Sequence, residues 1–269
     1  RLVVPDPVVP GPHGDRGPGG RFPPGPADDW LGPLTAIAAM AAVTERIRFL
    51  TGILVAPLRS AAVLAKTSAT LDALSGGRLD LGVGVGWQRE EFDAVGADFA
   101  DRGRLLDTTI ADCRTLWSGD PLPVEGPDGV RSRVWWAPVP AQDRLPVWFS
   151  GTLTARNVAR IVELGDGWIP IMGATPDDVA AGAAMLRTGF EAAQRDPSTL
   201  EVRAALAVER DGQGRPDIRA TLAPAAGLAD AGATALHLPL RALVADLGDL
   251  DAVASAASAV VDGVRRATG

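Results

Sequence analysis

Residues 79–86 combine one apolar strand face with one face nearly free of side chains, an arrangement that favours a binding site. The sequence LDLGVGVG alternates branched apolar residues with Asp80, Gly82, Gly84 and Gly86, a period typical of a strand. Glycine inside a strand marks a place where a ligand or another backbone approaches closely. Gly84 and Gly86 are therefore candidate ligand contacts, with helix-on-strand packing as the alternative. A dinucleotide-binding loop is disfavoured because the spacing is G-x-G-x-G rather than G-x-G-x-x-G.

The loop after this strand carries groups that suit ring binding and proton transfer. Trp87 can form the wall of an aromatic ring site, or it can be an ordinary core residue. Glu90 and Glu91 offer an acid or base, with Glu90 as the catalytic candidate, or they are a solvated pair at a helix start. His237 alternates with two leucines, so it is the second catalytic candidate, or else a satisfied core histidine.

Two more segments have the composition of a binding site. Thr51, Gly52 and Ile53 lie near the end of a predicted strand, where the glycine predicts a bulge or turn. A set of glycine and hydroxyl residues lies between a strand and a helix: Ser150, Gly151, Thr152 and Thr154. Amides at a helix N-terminus and neighbouring hydroxyls bind phosphate, although Thr154 can equally serve as the helix cap. Two histidines and one cysteine, none at ligand spacing, predict no metal site.

The elements that position these residues alternate between helix and strand from residue 34 onward, which predicts a parallel α/β sheet with crossover helices. Strands are predicted at 47–55, 79–86, 145–150, 167–171, 201–208 and 234–238. Helices are predicted at 34–43, 60–74, 102–117, 155–164, 175–195 and 250–267. Residues 1–33 are rich in proline and glycine and predict no regular structure. Six strands are fewer than the eight of a complete (β/α) barrel.

Composition excludes several classes of protein. A length of 269 residues suits one large α/β domain over 1–269. The net charge of −7 argues against a nucleic-acid partner. No apolar run is long enough to cross a bilayer, so no membrane partner is expected. A single cysteine excludes an intrachain disulfide and fits a cytoplasmic location.

Several long blocks carry a family resemblance. TERIRFLTGILVAP (44–57), VLAKTSATLDALSGGR (63–78) and SGGRLDLGVGVGWQREEFDAVG (75–96) resemble the bacterial-luciferase-like oxidoreductases, and LPVWFSG and ELGDGWIPI continue the match. The resemblance is closest to the branch that uses the deazaflavin coenzyme F-420 in place of FMN. It implies a TIM-type (β/α)8 barrel from which the first strand, first helix and second strand are missing in this chain. Arg1 then falls at about the position of a family histidine.

The resemblance also implies a site and an activity. The cofactor ring lies over the C-terminal mouth of the barrel, a non-proline cis peptide follows Gly52, and the 1–33 loop with His13 arches over the site. The implied enzyme transfers a hydride between a reduced deazaflavin and a small organic substrate. Two alternatives stay open: an FMN-dependent luciferase-like monooxygenase, and a catalytically silent truncated paralogue that acts as a binding partner.

A homodimer is expected on two grounds. Relatives dimerise through early helices, here 34–43 and 60–74. A barrel that lacks two strands also leaves unpaired edges on the strands at 47–55 and 234–238, and open apolar edges invite pairing with another chain.

Overall fold

The computed structural model describes residues 1–6, 8–9 and 30–268. The chain divides into two compact units, one comprising Arg1–Ser150 with Glu163–Asp166 and the other Gly151–Val162 with Gly167–Gly269. Most of the proline- and glycine-rich segment, including His13, lies outside the described residues. The single domain over 1–269 stays a prediction.

The first unit is built on a parallel sheet. Its strands are β1 (Leu2–Val4), β2 (Phe49–Thr51), β3 (Leu54–Val55), β4 (Leu79–Gly84), β5 (Leu122–Glu125), β6 (Arg131–Val134) and β7 (Val147–Ser150). Its helices are α1 (Pro33–Ala42), α2 (Ala61–Ser75), α3 (Arg89–Val95) and α4 (Arg102–Trp117). Strands β1, β2, β4 and β7 are parallel neighbours in that order, and β3 also pairs with β4. Strands β5 and β6 form an antiparallel hairpin.

Local sequence sets the ends of α2 and the burial of β4. The Val63 N–H donates to the Ser60 side chain at the N-terminus of α2 (3.4 Å). The helix ends at Gly76, whose φ of 66° suits a helix C-terminus. All six residues of β4 are buried. Its leucine and valine side chains enter the core, and the glycine positions alternate with them.

The second unit continues the parallel α/β pattern. Its elements are α5 (Ala155–Leu164, to residue 162 in this unit), β8 (Gly167–Ile169), α6 (Pro176–Ala192), β9 (Glu201–Ala205), α7 (Ile218–Leu222), α8 (Ala225–Asp230), β10 (Ala235–His237), α9 (Leu240–Leu243) and α10 (Leu250–Thr268). Strands β8, β9 and β10 are parallel neighbours. Gly182 of α6 leaves room for the Trp168 indole, which a Cβ there would overlap.

All six predicted strands are present, with 47–55 split into β2 and β3. The prediction that residues 1–33 hold no regular structure is wrong at Leu2–Val4, which forms β1. The prediction that the strand at 47–55 has an unpaired edge is also wrong, because β1 pairs with β2. The Leu2 N–H donates to the Arg48 carbonyl (2.8 Å) and the Gly52 N–H donates to the Val4 carbonyl (2.8 Å), so β1 covers the edge of β2. Among the described strands, β10 pairs with β9 alone.

The β5–β6 hairpin and the short helices α7, α8 and α9 are absent from the sequence prediction. They are too short to show a clear hydrophobic period. Within the described part of the chain, no helix has both the length and the apolar character needed to cross a membrane.

Candidate functional site

The glycine face of β4 lies against two of the other predicted site residues. A Cβ added at Gly84 would lie 2.9 Å from Ile53 Cδ1 and 3.8 Å from Ser150 Cβ. Gly84 pairs in register with Val55. The first unit therefore brings Ile53, Gly84 and Ser150 together at the C-terminal ends of neighbouring strands, the end at which parallel α/β folds bind ligands.

Gly86 is held by packing within the protein. Its φ is 76°, a backbone conformation that favours glycine. A Cβ there would lie 2.6 Å from Val55 Cγ1 and 3.0 Å from Phe92 Cε2. The space beside Gly86 is thus filled by core side chains, which is the packing alternative, and a ligand contact at Gly86 stays a prediction.

The strand containing Thr51 is interrupted at Gly52 and Ile53. The peptide between these two residues is cis, which confirms what the family resemblance implied. The buried Thr51 hydroxyl donates to the Gly82 carbonyl (2.8 Å), so the interruption is tied to β4. Backbone and side-chain hydrogen bonds together fix this part of the strand beside the glycine face.

Helix α3, which follows the loop after β4, contains one buried carboxyl group, and it belongs to Glu91 rather than to Glu90. Glu91 is 2% exposed, whereas Glu90 and Trp87 are half-buried. The Val8 N–H donates to Glu91 Oε1 (2.8 Å). Burial raises the pKa of Glu91, and nearby Asp6 raises it further, against hydrogen bonds that lower it. Sequence reasoning could not separate two adjacent glutamates, although the Phe next to Glu91 hinted at the buried side of the helix.

Asp6 is a site-adjacent residue that sequence reasoning missed. Its carboxylate is bidentate with Arg59, at 2.7 Å from both terminal nitrogens, and it accepts the Val55 N–H at 2.9 Å. Fork-to-fork pairs of this kind are strong and directional. They connect the segment after β1 to the end of β3.

A second charged cluster occupies the glycine face of β4 further from its C-terminal end. The fully buried Asp80 accepts from Arg1 Nε (2.7 Å) and from Arg48 Nη2. The Arg1 guanidinium also lies 4.9 Å from the centroid of the Trp148 ring. Because Asp80 and Gly84 share one strand face, this face carries charge at one end and lies against Ile53 at the other.

In the second unit, the loop before α5 is organised by Asn157. The Asn157 N–H donates to the Thr154 hydroxyl (3.3 Å), and its side-chain amide donates to the Thr152 carbonyl (3.1 Å). Gly151, with φ of 114°, donates its N–H to the Ile169 carbonyl (3.1 Å). Thr154 therefore caps α5, as the capping alternative expected.

His237 lies on β10 and pairs in register with Ala205 of β9. Burial and the positive charge of Arg203 lower the pKa of His237 to about 4. The imidazole is consequently neutral at pH 7. A neutral imidazole can exchange a proton but does not attract an anion.

Neither a metal-binding cluster nor an activated thiol occurs among the described residues. No group of three His, Cys, Asp or Glu side chains there is arranged to hold a metal ion. Burial raises the pKa of the Cys113 thiol to about 12. That thiol is protonated at neutral pH and does not serve as a nucleophile.

Comparison with known proteins gives a consistent set of relatives. The family model described as luciferase-like monooxygenase matches residues 18–211. An uncharacterised protein of Mycobacterium tuberculosis is 34% identical over 149 residues, which cover 55% of this chain and 51% of that protein. The chain spans about half the length of the curated relatives it matches.

Two solved structures share the fold of this chain. A monooxygenase from Streptomyces bottropensis superposes with a TM-score of 0.61 at 24% identity, covering 90% of this chain and 71% of that one. An F420-dependent secondary alcohol dehydrogenase superposes with a TM-score of 0.59 at 20% identity, covering 89% and 77%. At these identities the likeness shows the fold alone: an α/β fold of the TIM-barrel type, as the family resemblance implied.

Proposed function

Because the chain belongs to the luciferase-like monooxygenase family, we propose that it is an oxidoreductase that transfers a hydride between reduced deazaflavin coenzyme F-420 and a small organic substrate. The resemblance of the sequence blocks to the deazaflavin branch supports this proposal. The fold shared with an F420-dependent secondary alcohol dehydrogenase supports it as well.

The observation that carries the proposal is the close approach of Gly84 to Ile53 and Ser150 at the C-terminal ends of neighbouring strands. A Cβ at Gly84 would lie 2.9 Å from Ile53 Cδ1, so a side chain there would displace Ile53, which is itself a proposed ring contact. The proposed ring contacts are Thr51, Gly52, Ile53, Gly84, Gly86 and Trp87. The proposed phosphate ligands are Ser150, Gly151, Thr152 and Thr154, at the N-terminus of α5.

The bound coenzyme would supply the hydride chemistry, and the chain would supply orientation, water exclusion and proton transfer. Glu90 and His237 are the proposed acid–base residues. His237 suits a proton-transfer role at neutral pH only as the neutral imidazole, since its pKa is lowered to about 4. We propose no metal and no nucleic-acid partner, and a cytoplasmic location.

An FMN-dependent monooxygenase is the second candidate, favoured by the structural likeness to a monooxygenase. Titration of the protein with reduced F-420 and with reduced FMN, followed by absorbance and fluorescence, separates the two. Saturable binding of F-420 alone supports the proposal, and binding of FMN alone supports the monooxygenase. Binding of neither supports a catalytically silent paralogue.

The site itself is tested by Gly84→Val, with Gly212→Val as the control because a Cβ at Gly212 meets nothing within 4 Å. We expect Gly84→Val to abolish coenzyme binding while the helical circular dichroism stays unchanged. The control is expected to bind as the wild type does. If Gly84→Val fails to fold, Gly84→Ala in an Ile53→Val background replaces it, because the colliding Ile53 methyl is then removed. Its coenzyme affinity is compared with that of Ile53→Val alone, since Ile53 is itself a proposed ring contact.

Unchanged binding in a folded Gly84 variant would mean that the glycine serves packing alone. That outcome would contradict the site while leaving the family assignment in place.

We also propose a homodimer. Large apolar side chains are exposed around the first two helices, at Val43, Val63 and Leu74, and such side chains favour association when they are contiguous. Light scattering at micromolar concentration measures the mass. A stable monomer would contradict the proposal.

A further inference from the structure

The segment that follows β1 lies beside the proposed site and is attached to it at two points. Asp6 binds Arg59 and the Val55 N–H at one point. Two residues later, the Val8 N–H donates to Glu91 (2.8 Å), and the Val9 N–H also hydrogen-bonds to that carboxylate. One carboxylate therefore accepts from two successive backbone amides, a charge-assisted arrangement.

The side chains of Val8 and Val9 are only partly buried, with exposed fractions of 41% and 36%. Their apolar packing therefore holds this segment less than full burial would. The hydrogen bonds to Glu91 add a directional restraint on the backbone at this point. Glu91 lies on α3, immediately after the loop that contains Gly86 and Trp87.

Burial disfavours the ionised form of Glu91 and raises the pKa of its carboxyl. A second carboxylate, Asp6, lies nearby and raises that pKa further, while Arg59, which is paired with Asp6, lowers it. An ionised carboxyl in such surroundings adds less to global stability than one placed where its charged form is favoured. The global stability and the local restraint on Val8 and Val9 are therefore measured separately.

We propose that Glu91 is a positioning residue whose carboxylate holds the Val8–Val9 backbone against the loop after β4, and thereby sets the geometry of the site around Gly86 and Trp87. This inference rests on the proposed function for its link to coenzyme binding. The hydrogen bonds that carry it are independent of that function.

The variants are Glu91→Ala, which removes both acceptors, and Glu91→Gln, which keeps an acceptor without the charge. Asp93→Asn is the matched control, because it removes one negative charge from the exposed side of the same helix. Hydrogen exchange of the peptides that contain Val8 and Val9 reports on the restraint, and thermal unfolding reports on global stability.

We expect exchange at Val8 and Val9 to accelerate about tenfold or more in Glu91→Ala and by less in Glu91→Gln, since a charge-assisted hydrogen bond corresponds to at least that factor. The Tm of Glu91→Gln is expected to equal or exceed that of the wild type. Coenzyme affinity is expected to weaken in the same order as exchange accelerates. The control is expected to match the wild type throughout.

Unchanged exchange in Glu91→Ala would overturn the inference. So would faster exchange with unaltered coenzyme affinity, or a fall in Tm that parallels the loss of affinity in Glu91→Gln. If the wild type binds neither reduced coenzyme, the proposed function fails, and the exchange and Tm results decide the positioning role alone.

Discussion

Replacing Gly84 by Ala tests the packing that defines the proposed site. The new methyl group would lie 2.9 Å from Ile53 Cδ1 and 3.4 Å from Ile53 Cγ1. The best separation of two carbon atoms is about 3.5–4.0 Å. Only the Cδ1 contact is severely short, so the collision depends on a single atom, and Ile53→Val removes that atom.

The expected magnitudes follow from this geometry. Overpacking lowers the free energy of unfolding by about 1–3 kcal/mol. Alanine loses less backbone entropy on folding than glycine does, which raises it by about 0.5–1 kcal/mol. Gly84→Ala should therefore destabilise the protein by about 1 kcal/mol. Ile53→Val should cost about 0.5–1 kcal/mol because Ile53 is only partly buried. The double variant should cost no more than Ile53→Val alone, which gives a coupling energy of about 1 kcal/mol.

Urea unfolding of the four proteins measures the free energies of unfolding, and thermal unfolding checks them, since about 1 kcal/mol corresponds to about 2–4 °C for a chain of this size. Additive effects of the two substitutions would refute the reasoning, because they would show that residues 53 and 84 do not touch. A Gly84→Ala variant with the same free energy of unfolding as the wild type would refute the reasoning as well.

Three further predictions concern single residues. Gly86→Ala should lower the free energy of unfolding, measured in urea, by about 2–4 kcal/mol, because its Cβ would lie 2.6 Å from Val55 Cγ1. Gly96→Ala is the control and should lower it by about 1 kcal/mol, because Gly96 has a φ of 71° but nothing within 4 Å of the added Cβ. Equal decreases for the two variants would contradict the packing explanation. Burial raises the pKa of Asp166, but its two arginine partners outweigh that effect, so the pKa is lowered below 3.8. The ionised Asp166 therefore stabilises the folded protein fully above pH 3.8, and this stabilisation is lost as the pH falls through the folded-state pKa. Asp166→Asn should lower the free energy of unfolding at pH 7 by about 3 kcal/mol and reduce its dependence on pH in the acid range. An unchanged pH dependence of the free energy of unfolding would contradict this prediction. The His237 imidazole should titrate by NMR near pH 4, so stability should fall as the pH drops from 6.5 toward 4; a midpoint near 6.5 would show that it is not buried.

Much of the regular structure was predictable because its signals are local. Helices α4 and α5 have the predicted bounds of 102–117 and 155–164, since their hydrophobic period is continuous over several turns. The glycine alternation in β4 was visible for the same reason, because side chains of a strand alternate between two faces. Candidate site segments at strand ends followed from the rule that parallel α/β folds bind ligands there.

The three residues of β1 show what sequence alone did not determine. They are too few to establish a period, and they follow no turn signal, so only their pairing with Phe49–Thr51, more than 40 residues away, makes them a strand. Whether Glu90 or Glu91 is buried was likewise undetermined, because adjacent helix residues differ by about 100° in direction and the orientation of α3 decides between them.

The occupant of the space beside Gly86 was set by tertiary structure as well. The sequence determined that this position lacks a side chain, and hence that something must lie close to it. Only the folded chain places Val55 and Phe92 there, since close approach depends on which elements pack together and not on the residue that makes room for them.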